Sequence, residues 1–169
     1  MRIKGITDED FVNYKKPSMF IAFPSCNFKC ERECPECHCQ NGALANSPDI
    51  HIDVDKLCER YLENPITKAV VCGGLEPIDS IADLYAFITT LRVRYKCDDD
   101  IVIYTGYTEE EMRTTISPLW RLLVNYENII MKFGRYIPGE EPHYDEVLGV
   151  KLVSQNQYAK AISNNQEQI

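Results

Sequence analysis

Strand-like and helix-like segments alternate along most of this chain of 169 residues. Short runs of β-branched and apolar residues predict strands, and between them apolar residues recur at the 3.6-residue period of a helix. Strands are predicted at 19–23, 68–72, 101–105 and 128–133, with 151–154 as a fifth candidate. Alternation at this spacing predicts an α/β fold in which right-handed crossovers build a mostly parallel sheet.

Helix boundaries are marked by capping residues. Asp53 can cap a helix over about 54–62, and Thr108 with Glu111 has the pattern of a capping box. A longer helix is predicted over about 79–95, and Ser117 followed by proline predicts the start of another. Cys58 and Cys72 fall on apolar faces of a predicted helix and strand, so we expect both in the core.

Composition restricts the partners and the compartment. The net charge is −8 and the basic residues are scattered, which argues against a nucleic-acid partner. No apolar run reaches the ~20 residues of a membrane helix, and the opening MRIKGITDED lacks the apolar centre of a signal peptide. We therefore expect a cytoplasmic protein with a single domain over 1–169 and no membrane partner.

Unusual sequences follow the predicted strands. A cysteine-rich loop follows the first, Gly73 and Gly74 follow the second, Thr105-Gly106-Tyr107 ends the third, and Ser154 ends the fifth. Ligands of parallel α/β sheets bind at the carboxyl ends of the strands. Because these ends meet at one edge of a sheet, the sequence predicts one ligand site there.

The cysteine-rich loop, FPSCNFKCERECPECHCQN, holds five of the eight cysteines. Without an export signal the thiols are expected to be reduced, and a dense cluster then more often binds metal than forms disulfides. Two registers compete, because Cys30, Cys34 and Cys37 have three-then-two spacing, whereas Cys26 and Cys30 directly follow the strand. The alternative to an iron–sulphur cluster is a closed zinc site that staples the loop, built from Cys30, Cys34, Cys37 and either Cys39 or His38.

Three of these motifs, FPSCNFKC, GGLEP and IYTGYT, resemble those of the radical S-adenosylmethionine (SAM) enzymes. More narrowly, they are similar to the small activating enzymes of glycyl-radical enzymes, above all the activase of anaerobic ribonucleotide reductase. The resemblance runs from about Phe20 to Gln157. It implies a partial, open β/α barrel with a mostly parallel sheet of about five to six strands. The core would span about 17–160 and the cluster loop 25–45.

The resemblance also implies a chemistry. In this family three cysteines bind a [4Fe-4S] cluster, and the fourth iron is chelated by the methionine part of SAM. Reductive cleavage of SAM gives a 5′-deoxyadenosyl radical, which in the activases takes a hydrogen atom from a glycine of a partner protein. A glycyl-radical enzyme is therefore the expected partner, and the sequence does not identify the electron donor.

The cluster ligands carry over residue by residue. Cys26 and Cys30 match the first two ligands, and Cys39 is the expected third, because Cys39-Gln40-Asn41 reproduces the family's C-x-N ending in an expanded loop. Cys37 is the alternative third ligand. Cys34 and Cys37 would otherwise be spare thiols, with no firm role.

The SAM contacts also carry over. The GGLEP turn has one residue more than the family's Gly-Gly-Glu-Pro motif, and its glycines leave room for a ligand against the backbone. Expected SAM-binding residues are Gly73, Gly74, Glu76, Pro77, Thr105, Gly106, Ser154 and Asn156. GGLEP also suits a plain turn and 154–157 a plain loop. Two other functions stay open, a non-catalytic zinc or iron–sulphur interaction module and a radical SAM enzyme that acts on a small molecule or peptide.

Overall fold

A computed structural model describes residues 1–34, 36 and 38–163. Its central sheet has six strands in the order β10-β7-β6-β5-β3-β2. These strands are β2 (Gly5–Asp10), β3 (Ser18–Phe23), β5 (Ala69–Gly74), β6 (Asp100–Tyr104), β7 (Ile129–Phe133) and β10 (Tyr158–Ala161). Neighbours among β3, β5, β6 and β7 are parallel, and β2 and β10 pair antiparallel at the two ends of this order. The fold is therefore mixed α/β with a mostly parallel sheet.

Two small sheets and six α-helices complete the described elements. β1 (Arg2–Ile3) pairs with β4 (Ile50–His51), and β8 (His143–Asp145) pairs with β9 (Val150–Leu152). The helices are α1 (Lys29–Glu33), α2 (Gly42–Asn46), α3 (Val54–Glu63), α4 (Ile81–Thr89), α5 (Glu109–Thr114) and α6 (Ser117–Leu123). No helix in the described part of the chain combines the length and the apolar character that a membrane span requires.

The predicted helix starts are confirmed by the capping contacts. Asp53 Oδ1 accepts hydrogen bonds from the amides of Asp55 and Lys56 at 2.9 and 3.2 Å. Thr108 and Glu111 form the reciprocal capping box at the start of α5. The helix predicted over 79–95 is instead three segments, a 3₁₀ turn at Pro77–Ser80, α4, and a π-helical turn at Thr90–Arg94.

The predictions for the sheet were right in its centre and incomplete at its edges. Strands at 19–23, 68–72, 101–105 and 128–133 correspond to β3, β5, β6 and β7. The candidate strand at 151–154 is wrong as a member of this sheet, because β9 belongs to the separate two-stranded sheet with β8. Closure of the main sheet toward a barrel stays a prediction.

The two faces of the sheet are covered differently. Helices α3, α4, α5 and α6 pack on one face, where the larger core includes Ile21, Phe87 and Met131. On the other face a smaller core joins Val71 and Val102 to Leu148 and Leu152 of the segment that contains β8 and β9. The second face also carries Phe20 and Tyr104, which are only partly buried. Toward the carboxyl ends of the strands this second face borders a cavity.

Candidate functional site

The cavity lies where β3, β5, β6 and β7 end, and its volume is about 450 Å³. The predicted convergence of the strand ends is therefore present. Eight of the residues predicted to bind the cluster or SAM line this one cavity: Cys26, Cys30, Cys39, Gly73, Gly74, Glu76, Thr105 and Gly106. Among the described residues, Pro77, Ser154 and Asn156 are not part of the lining.

Three free thiols face this cavity from the cysteine loop, which we define as residues 24–41. Cys26, Cys30 and Cys39 are free and partly exposed. Cys34 is disulfide-bonded, so the expectation that all the thiols are reduced is wrong at this position. Cys37, the alternative third ligand, lies outside the described residues.

Backbone amides donate to two of the three sulphurs. The amide of Phe28 lies 3.2 Å from Cys26 Sγ, and the amide of Asn41 lies 3.4 Å from Cys39 Sγ. Phe28 adopts a left-handed conformation with φ 53°. Hydrogen bonds of this kind favour thiolates and help to set the potential of a bound cluster.

Cys26 and Cys30 are weaker acids than an ordinary cysteine, because burial raises their pKa values. Burial raises the pKa of Cys26 to about 11, and the hydrogen bond from Phe28 only partly offsets it. Burial, with a contribution from Cys39, also raises the pKa of Cys30. Metal ligation requires thiolates, so binding at this site releases protons.

Two asparagines connect the cysteine loop to the strand ends. The Asn27 amide donates to Asp79 Oδ2 at 2.6 Å, and Asn27 Nδ2 donates to the Tyr107 hydroxyl at 2.8 Å. Tyr107 donates in turn to Asp79 Oδ1 at 2.7 Å. At the far end of the loop, Asn41 Nδ2 donates to the carbonyl of Gly74 at 2.9 Å. The C-x-N ending therefore places Cys39 beside the Gly-Gly turn.

The two glycines leave no room for a side chain. A Cβ on Gly73 would lie 2.9 Å from the Phe20 ring, and a Cβ on Gly74 would lie 2.7 Å from Ala22 Cα. Gly74 also has φ +85°, which favours glycine. The backbone of β5 is thus exposed directly to the cavity beside the thiols.

Glu76 joins the GGLEP turn to the Thr105-Gly106 turn. Its Oε2 accepts from the amide of Gly106 at 2.8 Å, and its Oε1 accepts from the amide of Ile78 at 3.1 Å. The residue is 7 % exposed. Burial raises the pKa of its carboxyl to about 7, although these hydrogen bonds favour the ionised form. Both carboxyl oxygens are thus used to position two cavity walls.

The segment 154–157 contacts a neighbouring loop through its side chains. Ser154 Oγ accepts from the amide of Ile137 at 2.8 Å and donates to the carbonyl of the same residue at 3.2 Å. Asn156 Nδ2 donates to the carbonyl of Arg135 at 2.9 Å. Ser154 and Asn156 therefore fix the loop at 134–141 in this structure, and their contact with SAM stays a prediction. Pro77 begins the 3₁₀ turn after Glu76.

Sequence reasoning missed three cationic residues of the site, Lys29, Lys132 and Arg135. Lys132 extends from β7 into the lining, is 7 % exposed, and donates through Nζ to the carbonyl of Gly134 at 2.8 Å. Burial lowers the pKa of Lys132 to about 8. Arg135 lines the cavity from the loop that follows β7. A lysine inside the apolar run NIIMKF was the available signal, because such a strand seldom carries a charge without a partner or a ligand.

Cys58 and Cys72 are fully buried core residues, as predicted. Within 1–34, 36 and 38–163, no group of three His, Cys, Asp or Glu side chains is arranged to hold a single metal ion. The zinc alternative also needs Cys34, which is disulfide-bonded in this structure, and Cys37, which lies outside these residues, so that alternative stays a prediction.

The donor set does fit an iron–sulphur cluster. Cys26, Cys30 and Cys39 offer soft sulphur ligands, which iron–sulphur clusters select. The Gly-Gly turn beside them provides a wall without side chains. These residues would hold the cluster at the cavity.

Comparison with known proteins supports this assignment. A family model described as a 4Fe-4S single cluster domain matches residues 20–157, from β3 to the end of the segment 154–157. Searches of curated proteins and of solved structures give no match. Because the matched region covers most of the chain and includes all three free thiols of the cavity, the chain belongs to the family of 4Fe-4S single cluster domains.

Proposed function

We propose that this iron–sulphur protein is a radical SAM enzyme that activates a glycyl-radical enzyme such as anaerobic ribonucleotide reductase. The observation that carries the proposal is the position of Cys26, Cys30 and Cys39 beside the Gly-Gly turn, around one cavity. Three cysteine ligands leave one iron of a four-iron cluster available to a small molecule, whereas ferredoxins use four. When bound, the cluster supplies the electron that cleaves SAM to methionine and a 5′-deoxyadenosyl radical.

The charged groups of the cavity suit the methionine end of SAM. Lys132 provides a buried ammonium group for the carboxylate, and its pKa of about 8 leaves it mostly protonated at neutral pH. The backbone of Gly73 and Gly74 provides hydrogen-bonding groups for the amino group. Glu76 stabilises this arrangement indirectly, because it bonds the Gly106 amide rather than leaving a free carboxylate.

The remaining walls suit the nucleoside. Phe20, Tyr104 and Tyr136 line the cavity with aromatic rings, against which an adenine can pack. Thr105 and Gln157 add polar groups for a ribose. A cavity of about 450 Å³ is within the range of small-molecule sites. These residues bind and orient the substrate and exclude water from it.

The partner and the setting follow from the resemblance to the activases. Arg135 and Tyr136 line the cavity, and the next residue, Ile137, is exposed. The cavity wall therefore continues onto an accessible surface, which suits a protein substrate. The electron comes from an external donor. Since a cluster with an available iron oxidises easily, the proposed setting is an anaerobic cytoplasm.

SAM cleavage tests this proposal directly. The anaerobically reconstituted protein, reduced with dithionite, should convert SAM to 5′-deoxyadenosine and methionine, as quantified by liquid chromatography. Cys26→Ser should abolish cleavage. The matched control Cys97→Ser, which changes a half-buried cysteine outside the cysteine loop, should retain it. A protein that carries four irons but never cleaves SAM would overturn the enzyme proposal, and a colourless zinc protein would favour the interaction module.

A further inference from the structure

Helix α1 carries Cys30 but has no buried residue of its own. It spans only Lys29–Glu33, and its N-cap residue Phe28 makes no side-chain capping hydrogen bond. A helix of this length is not stable through intrinsic propensity. Contacts with the rest of the protein must therefore fix the position of α1 and of Cys30.

Four charged side chains form a closed ring between α1 and the body of the protein. Within α1, Lys29 Nζ lies 3.4 Å from Glu33 Oε1. Lys29 Nζ also pairs with Glu111 Oε1, while Arg135 Nε lies 3.2 Å from Glu33 Oε2. Arg135 Nη2 lies 2.9 Å from Glu111 Oε1, which closes the ring. Each cation thus touches both anions.

The two residues on the body side are held by contacts of their own. Glu111 Oε2 accepts from the amide of Thr108 at 2.9 Å, as part of the capping box of α5. The carbonyl of Arg135 accepts from Asn156 Nδ2 at 2.9 Å. The ring of Tyr107 lies 5.8 Å from Lys29 Nζ and 5.8 Å from Arg135 Cζ, so it supports both cations from one side.

The body-side pair is partly shielded from water. The side chains of Arg135 and Glu111 are 16 % and 23 % exposed. Burial raises the pKa of Glu111, but hydrogen bonds from Arg135 and Lys29 outweigh burial and lower the pKa to about 2. Glu111 is therefore ionised at neutral pH. Networks of shielded charges stabilise more than the isolated, fully exposed ion pairs of most protein surfaces.

We propose that Lys29, Glu33, Glu111 and Arg135 form an ionic clasp that positions α1 and holds Cys30 at the cavity. Glu33 and Arg135 are positioning residues for this thiol, and Arg135 also lines the cavity. Because α1 and the body each contribute one cation and one anion, a reversed helix would bring like charges together. The inference rests on cluster binding by Cys30 and is independent of SAM cleavage.

Hydrogen–deuterium exchange of the cluster-free protein tests the clasp without any activity. Arg135→Glu and Glu33→Arg each place like charges together, so α1 should exchange on the order of fivefold faster than in the wild type. The double variant Glu33→Arg/Arg135→Glu restores opposite charges between α1 and the body, but it places like charges at the 29–33 and 111–135 contacts. Its α1 should therefore return only part of the way to the wild-type rate. Exchange of α4 in the same samples is the internal reference.

A matched control separates the clasp from a general loss of charge. Arg60→Glu breaks an exposed ion pair of 2.6 Å with Asp8 that joins α3 to β2, and it should leave exchange in α1 unchanged. Equal exchange of α1 in Arg135→Glu and in Arg60→Glu would overturn the proposal. Acceleration in the double variant equal to the product of the two single accelerations would also overturn it, since that result would mean that positions 33 and 135 act independently.

A second readout connects the clasp to Cys30. In anaerobically reconstituted protein, Glu33→Arg should lose iron to a chelator several-fold faster than the wild type, and the double variant should lose it more slowly than either single variant. Iron loss at the wild-type rate, despite faster exchange in α1, would overturn the role assigned to the clasp in holding Cys30. Glu33→Gln provides the same test with a milder change, because this side chain is 50 % exposed.

Discussion

The cysteine loop and the loop at 134–141 both border the cavity, but they are fixed by different forces. Helix α1 of the cysteine loop is held by ion pairs, to which it contributes Lys29 and Glu33. In the loop at 134–141, Arg135 takes part in the ion pairs, whereas residues 136–141 are held by uncharged side chains that bond their backbone. In that loop Ser154 pairs with both backbone groups of Ile137, and Gln155 Nε2 donates to the carbonyl of Glu141 at 2.6 Å.

Ionic and neutral contacts respond differently to salt. Neutral hydrogen bonds to the backbone fix one conformation and are little affected by salt. Ion pairs between side chains are screened by salt and can be released without breaking a packed core. Helix α1 has no buried residue, so its position depends on these ion pairs, whereas neutral hydrogen bonds fix residues 136–141.

The largest expected effect comes from Gly74, whose carbonyl accepts a hydrogen bond from Asn41 at the end of the cysteine loop. Gly74→Ala should cost about 4 kcal/mol, because it combines a left-handed φ with a backbone clash at 2.7 Å. Gly139→Ala is the matched change in the other loop, where φ is +79° and nothing lies within 4 Å of the added Cβ. It should cost about 1 kcal/mol. Urea unfolding of the cluster-free proteins measures both losses of unfolding free energy. Equal losses would mean that Gly74 is not tightly packed against Ala22.

Glu76, which joins the GGLEP turn to the Thr105-Gly106 turn, should make the stability of the folded protein depend on pH. The unfolded chain ionises this residue near pH 4.5, whereas the folded protein keeps the proton until about pH 7. The folded state binds more protons between these values, so stability should fall by about 3 kcal/mol as pH rises through this window. Unfolding at a series of pH values should show this fall in the wild type. The same fall in Glu76→Gln would assign it to another group.

Removal of Ser154 should loosen the neutral contacts of the loop at 134–141. Ser154 is fully buried, and Ser154→Ala would leave both backbone groups of Ile137 without this partner. We expect a loss of about 2 kcal/mol. Gln155→Ala removes an exposed bond to the same loop and should cost about 0.5 kcal/mol. If urea unfolding gives equal losses for the two variants, burial does not decide the strength of these contacts.

Salt should produce the smallest effect, and it should distinguish the ionic attachment of α1 from the neutral attachment of residues 136–141. At 1 M NaCl the screening length falls to about 3 Å, so hydrogen exchange in α1 should become about twofold faster than at low salt. Exchange in 136–141, which follows Arg135, should not change. Equal salt responses in the two segments would contradict the contrast between ionic and neutral attachment.

The centre of the fold could be predicted because the burial of apolar residues dominates its sequence pattern. Strands β3, β5, β6 and β7 are apolar on both faces, and two of the helices between them, α3 and α5, begin with clear capping residues. The edge strand β2, GITDED, and the edge strand β10, YAKA, were missed because edge strands need little apolar sequence. Their positions depend on pairing with distant strands, which local patterns do not encode.

The site was predicted where the backbone or a thiol is the functional group. Gly73, Gly74 and the three free cysteines line the cavity as expected. Polar side chains were harder to interpret, since Ser154 and Asn156 bond a neighbouring loop while Lys132 enters the cavity from an apolar strand. A polar residue can bond a ligand or a nearby backbone group equally well, and only the three-dimensional neighbours distinguish the two.

The central claim is that Cys26, Cys30 and Cys39 hold a four-iron cluster at the cavity. Iron content of anaerobically reconstituted serine variants, with the absorbance of the cluster, tests it most directly. Cys26→Ser, Cys30→Ser and Cys39→Ser should each lose the cluster, while Cys37→Ser and Cys97→Ser, whose cysteine lies outside the cysteine loop, should retain about four irons per chain. A full cluster in Cys39→Ser together with its loss in Cys37→Ser would contradict the ligand assignment.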